Sequence, residues 1–254
     1  MDLNADVGES FGLWRLGDDD LLLSLVTSAN VACGFHAGDP STLRSTTLRA
    51  AEHGVAVGAQ VSYRDLVGFG RRFMDVRPVE LTNDITYQIA ALDGFTRLTG
   101  SRVTYVKPHG ALYHAVVNHE EQAAAIVDAV TAYSRATGDD LALLGQPGSA
   151  LLTAADKAGL RTVREAFADR GYDTSGQLLP RDAPGALVTD LETVAERAVR
   201  MAVKGEVATD DGSVVLVTAE SICVHGDTPG AVEIARAVRT ALEQAGVELA
   251  PFAP

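Results

Sequence analysis

The chain has 254 residues, 46% hydrophobic and 22% charged, an ordinary globular composition with room for one large domain or two small ones. Its formal net charge of −13 argues against nucleic acid and anionic membrane surfaces as partners, since both are bound through clustered Lys and Arg, although a local basic island for an anionic small substrate stays open. Cys33 and Cys223 cannot make a disulfide framework, acids interrupt any leader-like start at Asp2, Asp6 and Glu9, and no run approaches the roughly 18 apolar residues that span a bilayer; the expected location is cytoplasmic.

In chain order, short apolar runs bounded by glycine and polar residues predict strands at 3–7, 28–33, 55–61, 104–106, 141–144, 162–166, 186–188 and 214–224. Helices fall between them. Asp39-Pro40 and Thr228-Pro229 each read as an N-cap followed by proline at the first helical position. Ile85, Ile89, Leu92, Phe95 and Leu98 share one face of a helix over 78–99 that stops at Gly100. Further helices are expected over 119–133 and over 229–245, the latter aligning Ile234, Val238 and Leu242. This alternation predicts an α/β fold: a single-domain (β/α) barrel over 1–254, with about seven or eight parallel strands. The stretch between Tyr63 and Val76, with Gly68-Phe69-Gly70-Arg71-Arg72, reads as an active-site loop.

Polar clusters recur where these strands run out: Asn4-Ala5-Asp6, Cys33 to His36, Gln60, Lys107-Pro108-His109, Gln146, Glu165 to Arg170, and Val224 to Asp227. Ligands of parallel α/β folds bind outside the carboxyl ends of strands, so the recurrence predicts one enzyme site assembled from many strands. Alternation puts Asn4 and Asp6 on one side of the first strand, with Glu9 either in the site or capping a helix. Asn30 leads toward His36, a candidate acid/base or metal ligand. Asp39 reads better as a cap, and Cys33 as a buried thiol. Lys107 ends a strand of Val and Tyr, where burial is costly unless it meets an anion, a developing oxyanion, or a core acid such as Asp6 or Glu165. Glu165, Asp169 and Arg170 supply paired acids and a cation. His225 closes the last strand, beside Asp227, which could equally cap a helix. Arg71 and Arg72 could clamp a carboxylate or phosphate. No P-loop, H-E-x-x-H or G-x-S-x-G is present.

Long blocks of the chain resemble the LamB/YcsF family: Asp2-Leu3-Asn4 into Gly8-Glu9, Ser28 to Pro40, Gly68 to Arg72, Val106 to Tyr113, Phe167 to Arg170, and Ile222 to Ala231. The resemblance implies a seven-stranded βα barrel related to sugar and polysaccharide deacetylases. It also implies ATP-dependent opening of 5-oxo-L-proline to L-glutamate by a 5-oxoprolinase in which this chain would be one component, with subunits B and C as partners. ATP would be the co-substrate, accompanied by Mg2+. Where family members often read Gly-Ala-His-Pro, this chain reads Gly58-Ala59-Gln60-Val61.

Residue types suggest the roles. Asp6, Glu165 or Asp169 would be the base, with His36 a further acid/base candidate; Lys107 and His109 would meet the oxyanion; Arg71, Arg72 or Arg170 would hold the substrate carboxylate; and Asn4, Glu9, Asn30, His225 and Asp227 would bind substrate. Asp6, His36, Lys107, His109, Glu165 and His225 are expected around one pocket, and Lys107→Met is expected to lower turnover far more than stability. No tightly bound transition metal is expected, because Asp6 and His36 offer two ligands and Gln60 is a poor third, a place that His109 or His225 could take instead. Two other readings stay open: a metal-dependent amide deacylase without ATP, and a non-catalytic scaffold within the complex.

Overall fold

The first strand alternates acid or amide with apolar residues, and that two-residue period sets the architecture. β1 (Asp2–Val7) sends Leu3, Ala5 and Val7 outward into the main apolar cluster, while Asp2, Asn4 and Asp6 point inward. A computed structural model of the chain describes residues 1–181, 183–226 and 230–253. After β1 come α1 (Asp19–Leu23), β2 (Ser28–Ala32), α2 (Pro40–His53), β3 (Ala56–Val61), α3 (Pro78–Arg97) and β4 (Val103–Pro108). Then follow α4 (Gly110–Ala115), α5 (Glu120–Thr137), β5 (Ala142–Gly145), α6 (Ala150–Lys157) and β6 (Thr162–Phe167). The chain ends with α7 (Leu191–Lys204), β7 (Glu206–Ala208), β8 (Val214–Leu216), β9 (Ser221–Val224) and α8 (Ala231–Gln244).

Seven strands close a parallel barrel in the order β1-β2-β3-β4-β5-β6-β9, with β9 pairing back onto β1. Register aligns Asp6 with Asn30, Ala32 with Gln60, and Gln60 with Lys107, so inward side chains of neighbouring strands share levels. The outward Ala, Val and Leu side chains pack beneath the helices, and α2 starts at the expected cap. Asp39 Oδ1 accepts from the Ser41 and Thr42 amides at 2.8 and 3.0 Å, just before Pro40. Thr228 and Pro229 lie outside the described residues, as does Asp227.

Two expected strands change. Residues 186–188 form a single bridge, Leu187 to Arg170, within the excursion between β6 and α7. The run 214–224 divides into β8, paired antiparallel with β7 outside the barrel, and β9 within it. Both halves are rich in β-branched residues, which favour a strand without specifying its partner.

The barrel interior departs from the usual packing of branched apolar layers. Part of its lower end is apolar: Tyr105, Ala142, Leu144 and Val163 form a second cluster, with Phe252 edge-on to Tyr105 at 4.8 Å between ring centroids, while at the start of β1 the buried Asp2 accepts from Ser28 Oγ at 2.6 Å and from Ser221. Above it the interior is polar. Gly58 makes this possible, because a Cβ there would run into the Tyr105 ring. Among the described residues no helix is long and apolar enough to cross a membrane.

Candidate active site

The site begins with the inward residues of β1. Asn4 Nδ2 donates to Ser221 Oγ (2.7 Å) and Glu165 Oε1 (3.0 Å), and its Oδ1 accepts from Asn30 Nδ2 at 2.6 Å. Tyr105 donates to Asn30 Oδ1 at 2.7 Å. On this floor stands Lys107, its Nζ 2.7 Å from Glu165 Oε1, 3.3 Å from Asp6 Oδ1 and 5.3 Å from the centre of the Phe167 ring. Burial alone would strip the proton from Lys107, but the charges of Asp6 and Glu165, with the hydrogen bond to Glu165, outweigh it and hold the ammonium well above its ordinary range. Burial likewise works against the Asp6 carboxylate, yet Lys107, His225 and His109 keep it ionised far below its ordinary range. So depressed a carboxylate is a poor proton acceptor near neutral pH.

A second layer lies beside this floor. His36 and His109 stack with ring centroids 4.1 Å apart. His109 Nε2 lies 3.0 Å from the Phe69 carbonyl, an acceptor, so this nitrogen carries the proton and Nδ1 accepts from Gln60 Nε2 at 3.0 Å. The same amide nitrogen reaches Glu9 Oε1 at 3.3 Å, and Gln60 Oε1 lies 3.1 Å from His36 Nε2. Burial pushes His36 down to about 4, and burial with the neighbouring His36 pushes His109 well below its usual value. The loop from β3 fits over both rings: a Cβ on Gly70, at φ +66°, would crowd Ser62, His109 and His36. Asp65 ties this loop by accepting from the Gly68 amide at 3.0 Å and pairing with Arg72.

The third part is a dyad at the ends of β6 and β9. His225 Nδ1 lies 2.8 Å from Asp169 Oδ2, which also accepts from the His225 backbone amide at 3.1 Å. The carboxylate acceptor places a proton on Nδ1 and leaves Nε2 as the ring nitrogen not engaged by Asp169. Burial opposes the Asp169 charge, but His225 outweighs it and lowers this carboxyl.

These parts meet at a cavity of about 720 Å³ at the barrel mouth, lined by Asp6, Lys107, His109, Phe167 and His225, and rimmed by Arg71, Arg170 and Arg181. In a chain of net charge −13 this is the local basic island that composition leaves open. Of the six residues expected around one pocket, Asp6, Lys107, His109 and His225 line it. His36 and Glu165 lie one layer behind, as do Asn4, Asn30 and Glu9, all buried within the interior network. Arg72 turns to Asp65 and away from the cavity, whereas Arg170 lines it while donating to the Ala186 and Leu179 carbonyls. Lys107 is both exposed to the cavity and paired with core acids. Sequence reasoning misses Arg181 and Tyr113: Arg181 sits in an irregular excursion with no strand end to mark it, and Tyr113 closes the Val106 to Tyr113 block without a role of its own. It places Gln60 at a strand end and reads it as a poor metal ligand, but not as the link between Glu9, His36 and His109.

Fold and site together define a class: a seven-stranded parallel βα barrel with a polar, acid–base site at its carboxyl mouth. The LamB/YcsF family model matches residues 1–254, and the chain belongs to that family. It is 58% identical over 253 residues to the A subunit of 5-oxoprolinase from Streptomyces avermitilis, covering 100% of both chains. A lactam utilization protein from Thermus thermophilus superposes with a TM-score of 0.93 at 49% identity, over 99% of each chain. A family 4 carbohydrate esterase from Streptomyces lividans, at 13% identity and a TM-score of 0.51 over 100% of this chain and 92% of its own, shares the fold alone.

Proposed function

We propose that this chain is the A subunit of an ATP-dependent 5-oxoprolinase, opening 5-oxo-L-proline to L-glutamate with subunits B and C. ATP is the co-substrate, with Mg2+ accompanying it. The carrying observation is the Asp169–His225 dyad facing a cavity with a cationic rim; the names of the full-length relatives supply the substrate.

A lactam is a stabilised amide, and phosphorylation of its oxygen turns it into a reactive imidate phosphate. Water then adds to the ring carbon while His225 Nε2 takes its proton, with Asp169 holding the imidazole in the accepting tautomer. Lys107 stands at the cavity floor to meet negative charge developing on oxygen. Cleavage of the C–N bond, with the proton passing to nitrogen, leaves an acyl phosphate. A second water hydrolyses it to glutamate and inorganic phosphate. Arg71 and Arg181 suit the substrate carboxylate or the phosphoryl group. His109 is a weaker oxyanion donor than its sequence position implies, since its one N–H is committed to Phe69.

The experiment is reconstitution. The chain alone should release little or no glutamate from 5-oxoproline and ATP, and adding subunits B and C should restore turnover. In the complex, His225→Gln should lower kcat by about 100- to 10,000-fold, the usual worth of a general base. A His225→Gln complex with near-normal turnover would leave this chain as a scaffold.

A further inference from the structure

Glu9, His36 and His109 take no part in the proposed steps of lactam opening, yet their ligand-type atoms all lie within 4.8 Å of one another, and all three side chains are buried. We propose that these three residues form a divalent transition-metal site, of the zinc or cobalt(II) class, which the Gln60 carboxamide closes in this conformation. The inference goes beyond the 5-oxoprolinase reading and does not depend on it. It also revises the expectation of no metal, which pairs His36 with Asp6 and reads Gln60 as a missing ligand.

Two imidazoles and one carboxylate are a common zinc donor set, with a fourth position left open. His109 is already set up as a ligand: its Nε2–H donates to the Phe69 carbonyl, which turns Nδ1 toward Glu9 at 3.9 Å from Oε1. A backbone carbonyl holding the far ring N–H is the usual outer partner of a metal-bound histidine. Phe69 adopts φ 55°, unfavourable for an aromatic residue, and this is the residue whose carbonyl reaches His109. A second observation is independent of these. His36 Nδ1 is buried with no hydrogen-bond partner, so neither ring nitrogen of His36 is tied to anything but Gln60.

Gln60 explains how the cluster is stable without a cation. Its N–H groups point at Glu9 Oε1 and His109 Nδ1, presenting partial positive charge to the two acceptors a metal would bridge. Binding needs the carboxamide to swing aside and the two rings, now 16° from parallel, to tilt so that their lone pairs converge.

The test uses the full chain, stripped with a chelator and titrated with Co2+ while visible absorption is recorded, then with Zn2+ in competition. One equivalent of Co2+ should produce ligand-field bands that Zn2+ removes. Gln60→Ala should bind roughly tenfold more tightly, the worth of one hydrogen bond to a charged acceptor. Loss of an outer partner alone costs about 10- to 100-fold in metal affinity, so Glu9→Gln and His36→Gln should cost at least as much, with circular dichroism verifying their fold. Absence of Co2+ bands in both the wild-type chain and Gln60→Ala would overturn the site. So would bands that persist unchanged in folded Glu9→Gln and His36→Gln.

Discussion

Lys107 sits between two carboxylates inside the barrel, and its removal therefore acts on stability as well as on chemistry. Read from sequence, Lys107→Met should lower turnover far more than stability. The structure reverses that expectation: methionine would leave Asp6 and Glu165 buried without their counter-charge, and breaking such a pair costs about 3–5 kcal/mol. Urea unfolding of Lys107→Met should show a loss of that order, and adding Glu165→Gln should recover part of it; additive losses would mean the pair is uncoupled. The buried histidines make a second prediction. His36 is lowered to about 4, so between that value and an unfolded pKa of about 6.5 the unfolded chain binds the extra proton. Its contribution to stability is full above that window and lost as pH falls through it. Asp19, raised to about 6 by burial, titrates with the opposite sign in the same range, so the comparison must be with a variant. Folded His36→Gln should lose less stability than the wild type between pH 7 and pH 4, by a few kcal/mol on the order of 1.4 per pH unit. Equal pH slopes would contradict the assignment.

At the scale of elements, β3 does most to shape the interior. Gly58 yields its side-chain space to Tyr105, and two residues on Gln60 joins Glu9, His36 and His109. Gly58→Ala should destabilise by about 1–3 kcal/mol through overpacking. Combining it with Tyr105→Leu should cost less than the sum of the two single changes, because the clash partner is gone. An additive double mutant would show that the methyl group is accommodated elsewhere. The β3–α3 loop is recognisable as functional from its glycines and arginines, but the division of labour within it is not: Arg71 reaches the cavity rim whereas Arg72 is taken by Asp65.

For the whole molecule, the barrel is closed from below by a residue near its far end. Phe252 packs against Tyr105, beneath the polar network that supports the mouth. Phe252→Ala should lower the urea midpoint by the equivalent of roughly 1–3 kcal/mol, less than for a fully buried phenylalanine because Phe252 is half-buried, with an unchanged m-value. An unchanged midpoint would show that the plug contributes nothing.

The barrel, the order of most of its elements and the strand-end address of the site are legible in the residue pattern. Each follows from local signals: two-residue alternation in β1, a proline behind the Asp39 cap, and polar residues where apolar runs stop. Folding in three dimensions sets the partners: Asp169 holds His225, Lys107 lies between Asp6 and Glu165, and Glu9 joins His36 and His109 through Gln60. These partners are tens to more than a hundred positions apart along the chain, and barrel closure and register bring them together. A residue's type and local spacing set what it can do, whereas its charge state and partner depend on which distant side chains share its buried level.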